Sequence, residues 1–182
     1  MTRFLTPDFE LTPKGQRVAR WLTGIYGFLV ALMCFLPQDV FPEVKEVSTP
    51  GIMQIGRLYI LPVPFNSLVN ANQVESPLDY FWILLQNVAN IFLLFPLVLG
   101  LLFLFPKWRS WQKALLYSFY ISLTIECTQL LIDLLIDAKR VFEVDDLWTN
   151  ALGGLLAYVV YMGLKKAIKR FSKNVSPDLH EH

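Results

Sequence analysis

Charge is what this sequence has least of. Only 17% of its 182 residues are Asp, Glu, Lys or Arg, against about 25% in an ordinary soluble domain. The net charge of +1 gives no overall field that would draw nucleic acid. Both histidines, His180 and His182, lie in the polar stretch after Ser172, so histidine acid–base chemistry within the apolar part of the chain is excluded. The two cysteines, Cys34 and Cys127, each sit in an apolar stretch and read as small buried hydrophobes. They supply neither a disulfide framework nor a CxxC zinc site. There is no serine–histidine or cysteine–histidine arrangement, no internal repeat and no low-complexity segment. No cofactor and no metal is implied.

What is present is apolar: 54% of the residues are hydrophobic and the mean hydropathy is +0.44. Uncharged runs alternate with short charged ones, the pattern of membrane spans rather than of a uniformly greasy core. Four spans are expected, at about 18–37, 80–105, 113–134 and 147–164. A cytoplasmic segment, 1–17, precedes them and a basic cytoplasmic tail, 165–182, follows. Pro37 should end the first span. That span reads as retained rather than as a cleaved signal, because a basic amphipathic lead precedes it and no small-residue cleavage pattern follows. Pro96 should kink the second.

Lys14, Arg17 and Arg20, then Lys107, Arg109 and Lys113, then Lys165, Lys166, Lys169, Arg170 and Lys173 all fall on one side of a four-span chain. The positive-inside rule puts that side, and both termini, in the cytoplasm. Trp108 and Trp111 suit the inner interface, and Tyr80, Trp82 and Trp148 the outer one. The expected class is therefore an all-α membrane protein, a four-transmembrane-helix bundle with N- and C-termini cytoplasmic. A long outer loop, 38–79, separates spans 1 and 2, and a short one, 135–146, separates spans 3 and 4. The apolar middle of the long loop, Ile52 to Phe65, is expected to return to the membrane surface or to pack over the helices.

Polar groups inside the spans carry the functional information, because an ionisable side chain there should face the bundle interior with a partner. Glu126, Gln129 and Asp133 share a face of the third span. Asn87 and Asn90 share a face of the second. Asn150 begins the fourth, with Gly153 and Gly154 about a turn deeper, where they permit close helix approach. Asn90 and Glu126 each lie roughly 15 Å below the outer ends of their spans. These groups are expected to converge on a polar pocket in the outer half of the bundle. The structural alternatives are interhelical hydrogen bonds for Asn87 and Asn90 and a buried ion pair between Glu126 and Arg140. Asp145 or Asp146 should cap the fourth helix. Arg140 presents a fork suited to a carboxylate or phosphate.

These residues resemble the VanZ-like family of bacterial membrane proteins. The likeness runs through Glu126-x-x-Gln129, Arg140-x-Phe-Glu-Val-Asp-Asp and Asn150-x-Leu-Gly153, with Asn90 six residues before Pro96 and Pro64-Phe65 in support. One departure is Val98, where the family usually has glycine; Gly100 lies two residues on. The resemblance implies a multi-pass protein of the bacterial plasma membrane with a role at the cell envelope. In some members that role is low-level resistance to lipoglycopeptides such as teicoplanin.

Three functions follow as expectations. The first is binding of an envelope lipid or lipoglycopeptide in the outward-facing pocket, through Asn87, Asn90, Glu126, Gln129, Arg140, Asp145, Asp146 and Asn150. The second is an intramembrane enzyme modifying an envelope lipid, with Glu126 as the best catalytic candidate and the Asp145/Asp146 pair beside it. The third is a structural or docking subunit of a membrane complex. The partners to expect are membrane lipids, with a lipoglycopeptide antibiotic or a cell-wall lipid precursor as candidate ligand and a homo-oligomer left open.

Overall fold

Three of the long helices begin with the same device. Thr12, Ser76 and Ser110 each stand before a helix and accept a backbone N–H of its first turn, from Gly15, Leu78 and Lys113 respectively. Pro13 and Pro77 follow the first two caps, at the position where a missing N–H costs nothing. The computed structural model describes residues 4–37, 49–74 and 76–175. Lys45 and the rest of 38–48 in the long connection, Glu75, and the segment with His180 and His182 lie outside the described residues.

The chain order is α1 (Pro13–Phe35), β1 (Met53–Ile55), β2 (Leu58–Leu61), the single turn α2 (Asn66–Val69), α3 (Pro77–Leu104), α4 (Trp111–Ile136), β3 (Val141–Glu143) and α5 (Val144–Val175). Four of these helices are long and apolar enough to cross a membrane. α3 continues through Pro96, whose ring deprives Phe92 of its helical donor. In the same turn the Leu93 carbonyl accepts the Tyr26 hydroxyl from α1 at 2.9 Å. α5 runs on through the basic stretch after Leu164.

α5 lies between α3 and α4, and its two glycines set the spacing. A Cβ on Gly153 would strike the Ile91 backbone of α3, and one on Gly154 would strike Ser118 and the Ala114 carbonyl of α4. Small residues let helices meet where lipid supplies no hydrophobic drive. Leu94, Val98 and Leu102 then bury completely against Ala157 and Tyr161. Large apolar side chains remain on the outside, among them Trp21 at 70% and Leu135 at 76% exposed. Such surface suits acyl chains and not water.

One end of the bundle carries a feature that the sequence does not announce. β1 and β2 form an antiparallel hairpin about Gly56, whose φ is +63°. β2 then pairs in parallel with β3, Tyr59 opposite Val141 and Leu61 opposite Glu143. The apolar middle of the long connection is thus a three-stranded sheet joined to the α4–α5 connection. At the opposite end, Phe9 adopts φ +65°, is 1% exposed and stacks 5.4 Å from both Phe103 and Tyr161. Arg109 grips the neighbouring Glu10 with two nitrogens and holds that carboxyl below its usual pKa.

Arginines also terminate helices. The last carbonyls of a helix lack intrahelical donors and gather partial negative charge. Arg109 donates to Leu102 and Phe103 of α3, Arg57 to Leu134 of α4, and Arg140 to Met33 and Leu36 at the end of α1.

Candidate functional site

The polar residues of the spans gather at the sheet end in three groups, and the innermost is acidic. Glu126 on α4 is 1% exposed. One of its oxygens accepts the backbone N–H of Glu143 at 3.0 Å, because β3 delivers that residue directly over α4. Asp146, in the first turn of α5, lies beside it, its backbone carbonyl bound by Ser122 one turn before Glu126. Asp146 in turn accepts the Asn90 amide of α3 at 2.5 Å. One turn below, the Asn150 amide donates to Ser122 Oγ at 3.0 Å, and that hydroxyl donates to the Asp146 carbonyl at 3.0 Å. Asn150 is 2% exposed, and its Oδ1 has no hydrogen-bond partner.

Asp145 faces the other way. Its two oxygens accept the backbone N–H groups of Phe65 and Asn66 and the Trp148 indole, at 2.6, 2.8 and 2.8 Å. It therefore caps α2, a helix far away in sequence, instead of its own. Phe65 sits at φ +54° and packs on Trp148, ring centroids 5.1 Å apart. Asn87 belongs to this second group, donating to Ser67 at 2.9 Å.

The third group closes the end of α1. Gln129 donates to the Cys34 carbonyl at 2.9 Å, beside the carbonyls held by Arg140. Asp133 accepts the Arg140 backbone N–H at 3.0 Å, across a turn in which Asp137 and Lys139 are both left-handed. The alternative of an ion pair between Glu126 and Arg140 is not formed. The free carbonyls of α1 lie within reach of the guanidinium, and Glu126 accepts the backbone N–H of Glu143 instead.

Of the eight residues expected to share a pocket, four come together: Asn90, Glu126, Asp146 and Asn150. Asp145 and Asn87 hold α2 and its helix, and Gln129 and Arg140 hold α1. Asp145 and Asp146 are adjacent in sequence but opposed in space: Asp145 holds Phe65 and Asn66, and Asp146 holds Asn90. No cluster of three or more His, Cys, Asp or Glu side chains arranged to hold a metal occurs among the described residues. Sequence reasoning missed Ser122 and Glu143. Ser122 stands one turn before Glu126 on the same face, which is a usable signal. Glu143 enters through its backbone, which leaves none. The Glu143 side chain is pushed up to a pKa of about 8 by burial and by the charges of Asp146 and Asp145.

Beside the acidic group runs an apolar groove of about 570 Å³ between α4 and α5, lined by Trp111, Leu116, Phe119, Trp148 and Ala151 and by Phe65 from the long connection.

Four apolar helices with a buried acidic cluster beneath a small sheet define a multi-pass membrane protein. A family model described as VanZ/LLP1 matches residues 23–167, and the chain belongs to that family. No curated protein and no solved structure matches.

Proposed function

We propose that this protein binds an acylated envelope molecule, a lipid or a lipoglycopeptide of the teicoplanin type, from the outer leaflet of the bacterial plasma membrane. In this reading the sheet end faces outward and both termini face the cytoplasm, the orientation that the lysine and arginine distribution favours. The observation that carries the reading is the groove. Its volume falls in the range of small-molecule sites, roughly 300–1,000 Å³. Its lining is apolar, with four aromatic side chains among its residues. Trp111 lies toward one end, and Phe65 and Trp148 toward the other. An acyl chain would lie between α4 and α5, with its head group beside the sheet.

Mass spectrometry of the protein extracted in native lipid tests this. An amphiphile retained by the wild type and lost from Ala151→Trp, which fills the groove, is expected. Equal retention by both, together with unchanged teicoplanin sensitivity on expression of either, removes the reading.

A second reading has its own observation. Glu126 and Asp146 lie about one turn apart across α4 and α5, linked through Ser122, and an intramembrane enzyme acting on an envelope lipid would need two such acids, one to donate and one to accept a proton. Full turnover of the lipid substrate by a folded Glu126→Gln variant would exclude it.

A further inference from the structure

The outer face of α1 carries its own recess, at the end of the bundle opposite the sheet. A cavity of about 470 Å³ lies there against Pro13, Gln16, Arg17, Arg20 and Trp21. These positions recur every three or four residues and so share one face of the helix. We propose that the recess binds the phosphate head group of one anionic phospholipid, whose acyl chains run along α1 toward the sheet end. The orientation proposed above puts it in the inner leaflet, away from the groove between α4 and α5.

Charge complementarity selects the head group. Arg17 and Arg20 are both exposed. Among the described residues Arg17 makes no hydrogen bond or ion pair, and Arg20 reaches only Gln16, at 3.5 Å. Arg57, Arg109 and Arg140, by contrast, all have partners within the fold. The acids described at this end are Asp8 and Glu10, and Arg109 holds Glu10. Two guanidinium forks three residues apart, with no carboxylate between them, suit a phosphate diester that accepts several N–H groups at once. Trp21 is 70% exposed, one turn from Arg17, and an indole favours the head-group level of a bilayer.

Apolar surface continues the same face. Trp21, Ile25, Phe28 and Leu32 recur at helical spacing and are all exposed. The ridge they form spans about 16 Å, close to half of a hydrocarbon core of about 30 Å. Gly24 lies beside it, one turn beyond Arg20, and a Cβ built there would meet nothing within 4 Å. That notch gives an acyl chain a way from the recess onto the ridge. A second copy of this chain fits the face poorly. Copies in one membrane share an orientation, so a two-fold contact through α1 would set Arg17 and Arg20 against their own counterparts, like charges with no acid between them.

Native mass spectrometry of the full chain in detergent, titrated with phosphatidylglycerol or with phosphatidylcholine of matched acyl chains, tests the proposal. The wild type should bind one phosphatidylglycerol about tenfold more tightly than phosphatidylcholine. Arg17→Gln combined with Arg20→Gln should make the two lipids equal. Lys166→Gln combined with Arg170→Gln removes the same charge from α5 and should leave the preference intact. Gly24→Leu, at a position with open space around it, should weaken both lipids alike. Ala151→Trp, which fills the groove between α4 and α5, should change nothing, so the outcome is independent of what the groove binds. A wild type without preference overturns the proposal, in a measurement that needs no variant to fold. Loss of the preference in the Lys166 and Arg170 variant would reduce it to general basic charge and overturn the site. Loss in Ala151→Trp would move the lipid to the groove, and a dimer that excess lipid does not dissociate would give the face to a second copy; either result also overturns it.

Discussion

Asp145 holds Phe65 and Asn66 from a distance of about eighty residues, one carboxylate oxygen to each backbone N–H, at 2.6 and 2.8 Å. That pair of bonds fixes the long connection over the start of α5, and with it the aromatic mouth of the groove formed by Phe65 and Trp148. Hydrogen bonds to a charged group contribute about 1.5–3 kcal/mol each. Asp145→Ala should therefore lower stability by a few kcal/mol, measured as thermal unfolding in detergent. It should also release Trp148, read as a red shift of tryptophan emission. A variant with wild-type stability and emission would show that the contact is not formed.

Glu143 gives the sheet end a pH dependence of defined sign. Its folded pKa, about 8, stands above the ordinary 4.5. The folded state binds the proton more tightly, so the stabilisation is complete below about 4.5 and is lost as pH rises through 8. Thermal midpoints should fall across that window, and Glu143→Gln should flatten that part of the curve. An unchanged slope in the variant would assign the dependence elsewhere.

Gly153 and Gly154 should tolerate alanine poorly. The added Cβ on Gly153 meets a backbone carbonyl, which yields only if α3 moves away. On Gly154 it meets Ser118 and a second carbonyl. Overpacking of this kind costs about 1–3 kcal/mol. The expected result is a lowered unfolding temperature for both, with Gly153→Ala also weakening a disulfide crosslink engineered between α3 and α5. Wild-type behaviour of both would mean that the helices are further apart.

Arg140→Gln distinguishes two roles. As the clamp on Met33 and Leu36, its loss should speed amide exchange in the last turn of α1. Lysine should rescue only in part, because an ammonium group cannot reproduce the fork. As a head-group ligand only, its loss would weaken amphiphile retention and leave α1 exchange unchanged.

The membrane spans were legible because burial in lipid demands long uncharged runs, and such runs show in composition alone. Glu126 was legible for the same reason, as a charge in the wrong solvent. The sheet was not, because strands of three or four residues carry too little periodicity, and β3 is short enough to pass for a solvated turn. Arg140 and Asp145 were recognised as strong hydrogen-bonding groups, but their partners are backbone atoms. A carbonyl at a helix end or an N–H at a loop turn has no signature in a side-chain sequence. The departure at Val98 resolves into packing: it is fully buried beside Leu94 and Leu102. Gly100, two residues on, meets Thr23 of α1.

The parallel pairing of β2 with β3 imposes an order of assembly. β2 is synthesised before α3, and its partner emerges only after α4, so the sheet cannot close until α3 and α4 have been made. The Asp145 bonds and the bond from the Glu143 N–H to Glu126 wait on the same event, since they are made by the residues that end β3 and open α5. These contacts therefore form only after α3 and α4 have been made, and a truncated product that stops before Val141 lacks the Glu143 N–H that Glu126 accepts. Such a fragment would be marked for quality control by its own carboxylate.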